Sequence, residues 1–194
     1  DSVVEVVDRL MVVVADHGRN ASTFAGRGAA STGADLYACV HAALSAFSGP
    51  RHGLHSERVR AFLSSVESVD AVDERVRDQL RRGRDLPGFG HPIYEHGDPR
   101  YPMVRSNLDA IEEAAETREL VDAVRDAADR AGLPPPNVDV GVSAVAEALD
   151  LPNGGGPFLF AVGRTAGWIA HALEQREADV LLRPRSTYVG GRRD

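Results

Sequence analysis

Apolar residues recur along this chain at three- and four-residue steps. Val3, Val6, Val7, Leu10, Met11 and Val14 open the sequence with that spacing and predict a helix over residues 2 to about 17 with one buried face. Its β-branched residues are poor helix formers, so tertiary packing must hold it. Ala21 to Ala30 is rich in Ala, Ser and Gly, which lets another helix approach closely. Gly33 ends that segment, Asp35 caps the next, and Gly49-Pro50 stops the chain after about Phe47. Ser56 to Val66, Asp70 to Arg82, Asn107 to Ala115 and Arg118 to Ala131 read as amphipathic helices, separated by Gly/Pro breaks at 83–92 and 97–102. Past Pro134-Pro135-Pro136, Asn137 caps a helix to Leu149, and Phe158 to about Glu174 is apolar enough for deep burial. No internal repeat and no alternating strand pattern of useful length is present. The pattern predicts an all-α fold. Its apolar ends and amphipathic middle predict two domains: residues 1–55 and 149–194 form the larger, and 56–148 a smaller inserted one. A cleft between them is the expected place for a small ligand.

Composition narrows the function classes. The 194 residues are 43% hydrophobic and 26% charged, the profile of a soluble globular protein. The longest apolar run, Leu10 to Ala15, is too short to cross a bilayer, so no membrane partner is expected. A net charge of −7 argues against non-specific nucleic-acid binding. All 22 basic residues are arginine, which excludes Schiff-base lysine chemistry and lysine general bases. The single cysteine, Cys39, excludes an intrachain disulfide framework and a multi-cysteine zinc site, and fits a reducing, cytoplasmic location.

The candidate chemistry lies on the loops. His17, His52 and His91 each stand beside glycine, which allows a ligand close to the backbone. Each alone is more commonly a hydrogen-bonded structural histidine; together they mark a site. His41 and His171 fall inside apolar helices and read as structural. Asp139, among Val138, Val140, Val142 and Ala144, is a candidate base, because apolar company destabilises its charged form. An ordinary helix N-terminal aspartate is the commoner alternative. Arg164 has almost wholly apolar neighbours, so it either pairs with an internal carboxylate or receives one from a ligand. His52-Gly53-Leu54-His55 has a spacing a metal could use, but no third ligand stands at a helical offset, and no metal is expected. Gly88-Phe89-Gly90 follows no strand and is not a dinucleotide fingerprint.

The same segments carry a resemblance. Asp16-His17-x-x-Asn20-Ala21-Ser22-Thr23-Phe24, Ser31-Thr32-Gly33-Ala34-Asp35-Leu36-Tyr37, Gly49-Pro50-Arg51-His52-Gly53, Gly88-Phe89-Gly90-His91-Pro92-Ile93-Tyr94-x-x-Gly97-Asp98-Pro99-Arg100, Asn137-Val138-Asp139, Gly163-Arg164-Thr165-Ala166-Gly167-Trp168-Ile169-Ala170-His171 and Arg183-Pro184-Arg185-x-x-Tyr188 together resemble the citrate synthase family, in the family's order from about Val12 to Gly190. The resemblance covers the C-terminal portion of that pattern, without the N-terminal part of the large domain. It implies an all-α, two-domain homodimer that condenses acetyl-CoA with oxaloacetate, with no tightly bound cofactor. His52, His91 and Asp139 match the catalytic triad, and His17, Arg100 and Arg164 match dicarboxylate-binding positions. Arg183 matches an arginine that reaches the neighbouring subunit's site. Leu86, Pro87, Gly88, Phe89 and Gly90 match a coenzyme A adenine-binding stretch.

The chemistry of the residues agrees. A thioester methyl proton is too weakly acidic for an ordinary carboxylate, so Asp139 needs a donor on the thioester oxygen, which His52 supplies. His91 suits the ketone, and two ligand carboxylates call for forked arginines. Departures from the pattern are Gly18-Arg19, Leu54-His55-Ser56 and Glu95, the last standing where many members carry a basic residue toward the coenzyme A phosphates. The alternatives are a 2-methylcitrate synthase using propionyl-CoA, a non-catalytic homologue that binds a dicarboxylate, and a metal-dependent hydrolase built on His52 and His55.

Overall fold

In the computed structural model, residues 2–187 and 189–190 are described, and the helices they form are α1 (Ser2–Val14), α2 (Ala21–Ser31), α3 (Leu36–Phe47), α4 (His55–Leu63), α5 (Val72–Arg81), α6 (Arg100–Arg105), α7 (Ala115–Arg130), α8 (Val138–Ala148) and α9 (Gly155–Ala178). Among the described residues there is no β-strand, only one isolated antiparallel bridge between Phe89 and Pro136. Among these residues no helix is long and apolar enough to cross a membrane. Tyr188, the last residue of its motif, lies outside the described residues.

The apolar stripes read from the sequence are the ones that pack. Val6, Leu10 and Val14 of α1 are fully buried, each stabilising the fold by about 1.5–3 kcal/mol. Helix α9 packs on α1, α2 and α3, while α8 packs on α4, α6 and α7; α1 against α6 and α8 against α9 join the two groups. Asn20, Asp35 and Asn137 all cap as their types dictate, accepting from the N–H groups of Thr23, Ala38 and Asp139.

Several segments differ from the pattern-based expectation. Helix α1 ends at Val14 rather than near 17, because Ala15 closes back on the Val12 carbonyl and Gly18 turns at a φ of 58°. Asn107 to Ala115 is two 3-10 turns rather than an α-helix. There Arg118 Nη1 takes the carbonyls of Leu108 and Ile111, at 2.7 and 3.0 Å, and Ile111 is extended. Arg100–Arg105, within and beyond the expected break at 97–102, forms α6, with the buried Asp98 carboxylate receiving the Arg100 N–H at its start. His41 is exposed, not a core residue, because the buried stripe of α3 runs through Cys39, Ala43 and Phe47. Helix α9 extends beyond both expected ends.

Close approach of α1 and α9 depends on glycine. A methyl group added at Gly167 would stand 2.2 Å from the Ala15 carbonyl oxygen, and one at Gly163 would stand 2.8 Å from that of Met11. Gly28 on α2 has nothing within 4 Å of the same position. Gly167→Ala is therefore expected to lower unfolding free energy by about 1–3 kcal/mol through overpacking. Gly28→Ala should raise it by up to about 1 kcal/mol through helix propensity. Urea titrations of both variants check the pair; equal effects would remove the packing argument.

Candidate active site

A cavity of about 840 Å³ opens where the α1–α2 turn, the α3–α4 loop, the loop from Leu86 to Ile93 and the N-terminus of α8 converge on α9. His17, His52, His91, Arg100, Asp139 and Arg164 all line it, as do Leu86, Pro87, Phe89 and Gly90. Gly88 lies beneath the surface, with φ at 84° and a Cβ position only 2.5 Å from Val140 and 2.9 Å from Val59, which reserves it for glycine. Its N–H donates to His55 Nε2 at 3.1 Å, so His55 pins this loop rather than joining a metal set. Asn137 N donates to the Gly88 carbonyl at 2.8 Å and Gly90 N to that of Pro135 at 2.9 Å, binding the loop to the start of α8. Arg183 is exposed and does not line the cavity. No cluster of three His, Cys, Asp or Glu suited to a metal occurs among the described residues.

Asp139 sits in the first turn of α8, its N–H held by the Asn137 side chain at 3.0 Å. Among the described residues nothing hydrogen-bonds its carboxylate. Burial pushes its pKa up to about 7; Arg100 and Arg164 oppose that rise and Asp98 adds to it. Of the two readings of Asp139, the destabilised carboxylate is the one the structure supports.

Arg164 is 1% exposed, and among the described residues no carboxylate lies within ion-pair distance. Its Nε donates to the Val14 carbonyl at 2.5 Å, its guanidinium lies 5.0 Å from the Phe160 ring centroid, and its Nη2 is buried without a partner. Burial and Arg100 lower its pKa to about 10, so it stays cationic at neutral pH. Arg100 is held differently. It forms a two-point ion pair with Asp98, at 2.9 and 2.7 Å, and Asp98 also accepts the Val138 N–H at 3.0 Å.

The three histidines are neutral at pH 7. Burial, followed by the arginines, holds His17 and His52 at about 4, and burial lowers His91 as well. His91 Nδ1 accepts the Ile93 N–H at 3.1 Å, which leaves its ring proton on Nε2. His17 Nε2 meets the Tyr94 hydroxyl at 2.9 Å, and the His17 and His91 rings stand edge to face at 5.3 Å. His52 Nε2 lies 2.8 Å from Ser22 Oγ, which accepts from Trp168 Nε1 at 3.0 Å and is 2.7 Å from Asn20 Oδ1. Ser22 Oγ donates its single proton to Asn20 Oδ1, which only accepts, so His52 Nε2–H donates to Ser22 and Nδ1 is the bare nitrogen. Arg51 and Arg58 also line the cavity. Ser22, Tyr94 and Arg51 stand inside the sequence motifs with no role indicated by residue type, and Arg58 stands outside them.

The described helices thus gather a raised carboxylate, three neutral histidines and two arginines around one cavity. The family profile described as "Citrate synthase, C-terminal domain" matches residues 1–185, and the chain belongs to the citrate synthase family. It is 39% identical to "Putative citrate synthase 2" of Mycobacterium tuberculosis over 96% of this chain and 52% of that protein. It is 32% identical to a 2-methylcitrate synthase of the same species over 97% of this chain and 49% of that one. A ternary complex of carboxymethyl coenzyme A and oxaloacetate with citrate synthase from Thermoplasma acidophilum superposes with a TM-score of 0.86 at 30% identity, covering 100% of this chain and 54% of that chain. The chain thus spans about half the length of the curated relatives it matches.

The displaced pKa values fix opposite pH limbs of stability. Unfolded, Asp139 releases its proton near 3.8, while folded it keeps the proton to about 7, so this group lowers stability as pH rises across that window. His17 and His52 take up protons near 6.5 when unfolded but at about 4 when folded, so they lower stability as pH falls across theirs. Asp139→Asn removes the first limb only. Its stability relative to wild type is expected to climb between pH 4 and 7 and then level off, with a gain of about 4 kcal/mol at pH 8. Urea unfolding at a series of pH values measures this, and a pH-independent difference would contradict the raised pKa.

Proposed function

We propose that this chain carries the catalytic half of an acyltransferase that condenses acetyl-CoA with oxaloacetate, giving citrate and free coenzyme A. The observation that carries the reading is Asp139, a carboxylate with pKa about 7 lining the same cavity as neutral His52 and His91. A general base works best with a pKa near the working pH, and this one is placed there by burial.

On this reading Arg100, Arg164 and His17 bind the two carboxylates of oxaloacetate, and the unpartnered Nη2 of Arg164 supplies a donor. Asp139 removes a methyl proton from the thioester while the His52 tautomer with its hydrogen on Nδ1, reached when Ser22 turns its proton from Asn20 to Nε2, donates to the thioester oxygen as the enol forms. The enol carbon attacks the ketone carbon, and His91 Nε2–H passes a proton to the developing alkoxide. Water then hydrolyses the citryl thioester to citrate and the free thiol. Leu86, Pro87, Phe89 and Gly90 supply the wall for the adenine of coenzyme A, with Gly88 shaping the loop behind them. Residues 1–55 and 149–194 belong to the large domain and 56–148 to the small one. A homodimer brings the exposed Arg183 to the neighbouring subunit's site. Propionyl-CoA is the competing donor, given the 2-methylcitrate synthase relative, and the ratio of kcat/KM values for the two thioesters decides between them.

Asp139→Asn keeps the shape but removes the base. Thiol release from acetyl-CoA should fall by about 10²–10⁴-fold, while oxaloacetate affinity changes by less than about threefold. A variant that turns over at the wild-type rate would defeat the mechanism. For assembly, Arg183→Ala and His91→Ala should each be inactive, and mixing them should restore part of the activity through heterodimers with one intact site. Verified heterodimers without recovery would place Arg183 outside the partner's site.

A further inference from the structure

We infer that His171 is a positioning residue for the dicarboxylate end of the cavity: it couples Arg27 to Asp16 and thereby fixes the turn that presents His17. The inference deepens the proposed function and rests on it for its kinetic readout, though not for its spectroscopic one.

The geometry is a one-sided grip. Arg164, Gly167 and His171 lie on one face of α9, at spacings of three and four residues. They engage three consecutive residues of the chain leading into His17. Arg164 Nε donates to the Val14 carbonyl at 2.5 Å. Gly167 admits the Ala15 carbonyl, with a Cβ position 2.2 Å from its oxygen and 3.2 Å from the Asp16 Cα. His171 Nε2 meets Asp16 Oδ1 at 3.1 Å, and Asp16 Oδ2 accepts the Gly18 N–H at 3.3 Å. The carboxylate therefore closes the turn on both sides of His17.

The proton on His171 is set by the residue behind it. Arg27 Nη1 stands 3.1 Å from His171 Nδ1 and also bonds Glu174. Glu174 Oε2 lies 3.4 Å from the same Nδ1, but the closer Arg27 guanidinium only donates, so the neutral ring accepts at Nδ1 and carries on Nε2 the hydrogen that reaches Asp16. Arg27 is buried on α2, with a side chain 6% exposed, so it is a fixed reference for the imidazole. Burial alone would raise the Asp16 carboxyl, yet the N–H groups of His17 and Gly18, with His171, hold it below the usual range. His17 itself has one resolved ring partner, the Tyr94 hydroxyl, so its placement depends on the backbone turn.

The test compares His171→Gln with His171→Leu in the 194-residue chain. Glutamine offers an acceptor to Arg27 and a donor to Asp16; leucine offers neither. His171→Leu should raise KM for oxaloacetate about tenfold, with kcat and KM for acetyl-CoA changed less than about twofold, and His171→Gln should restore the wild-type value. In isotope-labelled protein without substrates, the His17 ring should titrate near 4 in wild type and His171→Gln, and move toward 6.5 in His171→Leu. If His171→Leu fails to fold, Asp16→Ala breaks the same link from the other side and should move the His17 titration likewise. An unchanged His17 titration in a folded His171→Leu or Asp16→Ala chain overturns the inference. A wild-type chain without condensing activity defeats the proposed function, and the His17 titration still decides the role of His171.

Discussion

A guanidinium held in the core without a bonded carboxylate sets the conditions for the rest of this structure. Arg164 is 1% exposed, and its recorded neighbours are a backbone carbonyl and an aromatic face. Burying an ion costs several kcal/mol even after relaxation, and among the described residues no carboxylate neutralises this one by direct contact. Its field reaches outward instead. It helps to hold His17 and His52 neutral and to draw charge onto Asp139, against the larger effect of burial. A site with this imbalance favours anions for the same reason that it disfavours protonated imidazoles.

Arg100 shows the contrasting solution. Its charge is already met by Asp98, whose side chain is fully buried and whose second role is to accept the Val138 N–H. One carboxylate therefore fixes both the orientation of Arg100 and the start of the helix that carries Asp139. Removing it would strand a cation and an amide together, which is why an ion pair of little net stabilising value still specifies geometry.

The legible part of the fold was the part governed by periodicity and caps. Val6, Leu10 and Val14 give the buried face of α1 directly, and Asn20, Asp35 and Asn137 mark helix starts by their side-chain chemistry. The illegible part was governed by long-range partners. The carbonyl capture by Arg118 that keeps Asn107 to Ala115 from forming an α-helix has no local signal. The site followed the same division. Loop residue types indicated His17, His52 and His91, apolar company at a helix start indicated Asp139, and the family pattern added their expected roles. What orients them did not follow: Ser22 lies 30 positions from His52, Tyr94 lies 77 from His17, and His171 lies 155 from Asp16.

These distant partners share a purpose in charge accounting. On the proposed reading, the neutral His52 and His91 can donate hydrogen bonds without adding a positive charge that a carbanion-like intermediate would collapse onto. Among the described residues Asp139 begins without a hydrogen-bonded partner on its carboxylate and ends the first proposed step protonated, which is the form that burial favours. On the same reading, a dianion seated on Arg100 and Arg164 would screen those cations and add like charge beside Asp139, so the first ligand would strengthen the base that acts on the second. On the proposed reading, the apolar setting of Asp139 and the unpaired charge of Arg164 are two halves of one device: the fold keeps both uncompensated until the substrate arrives.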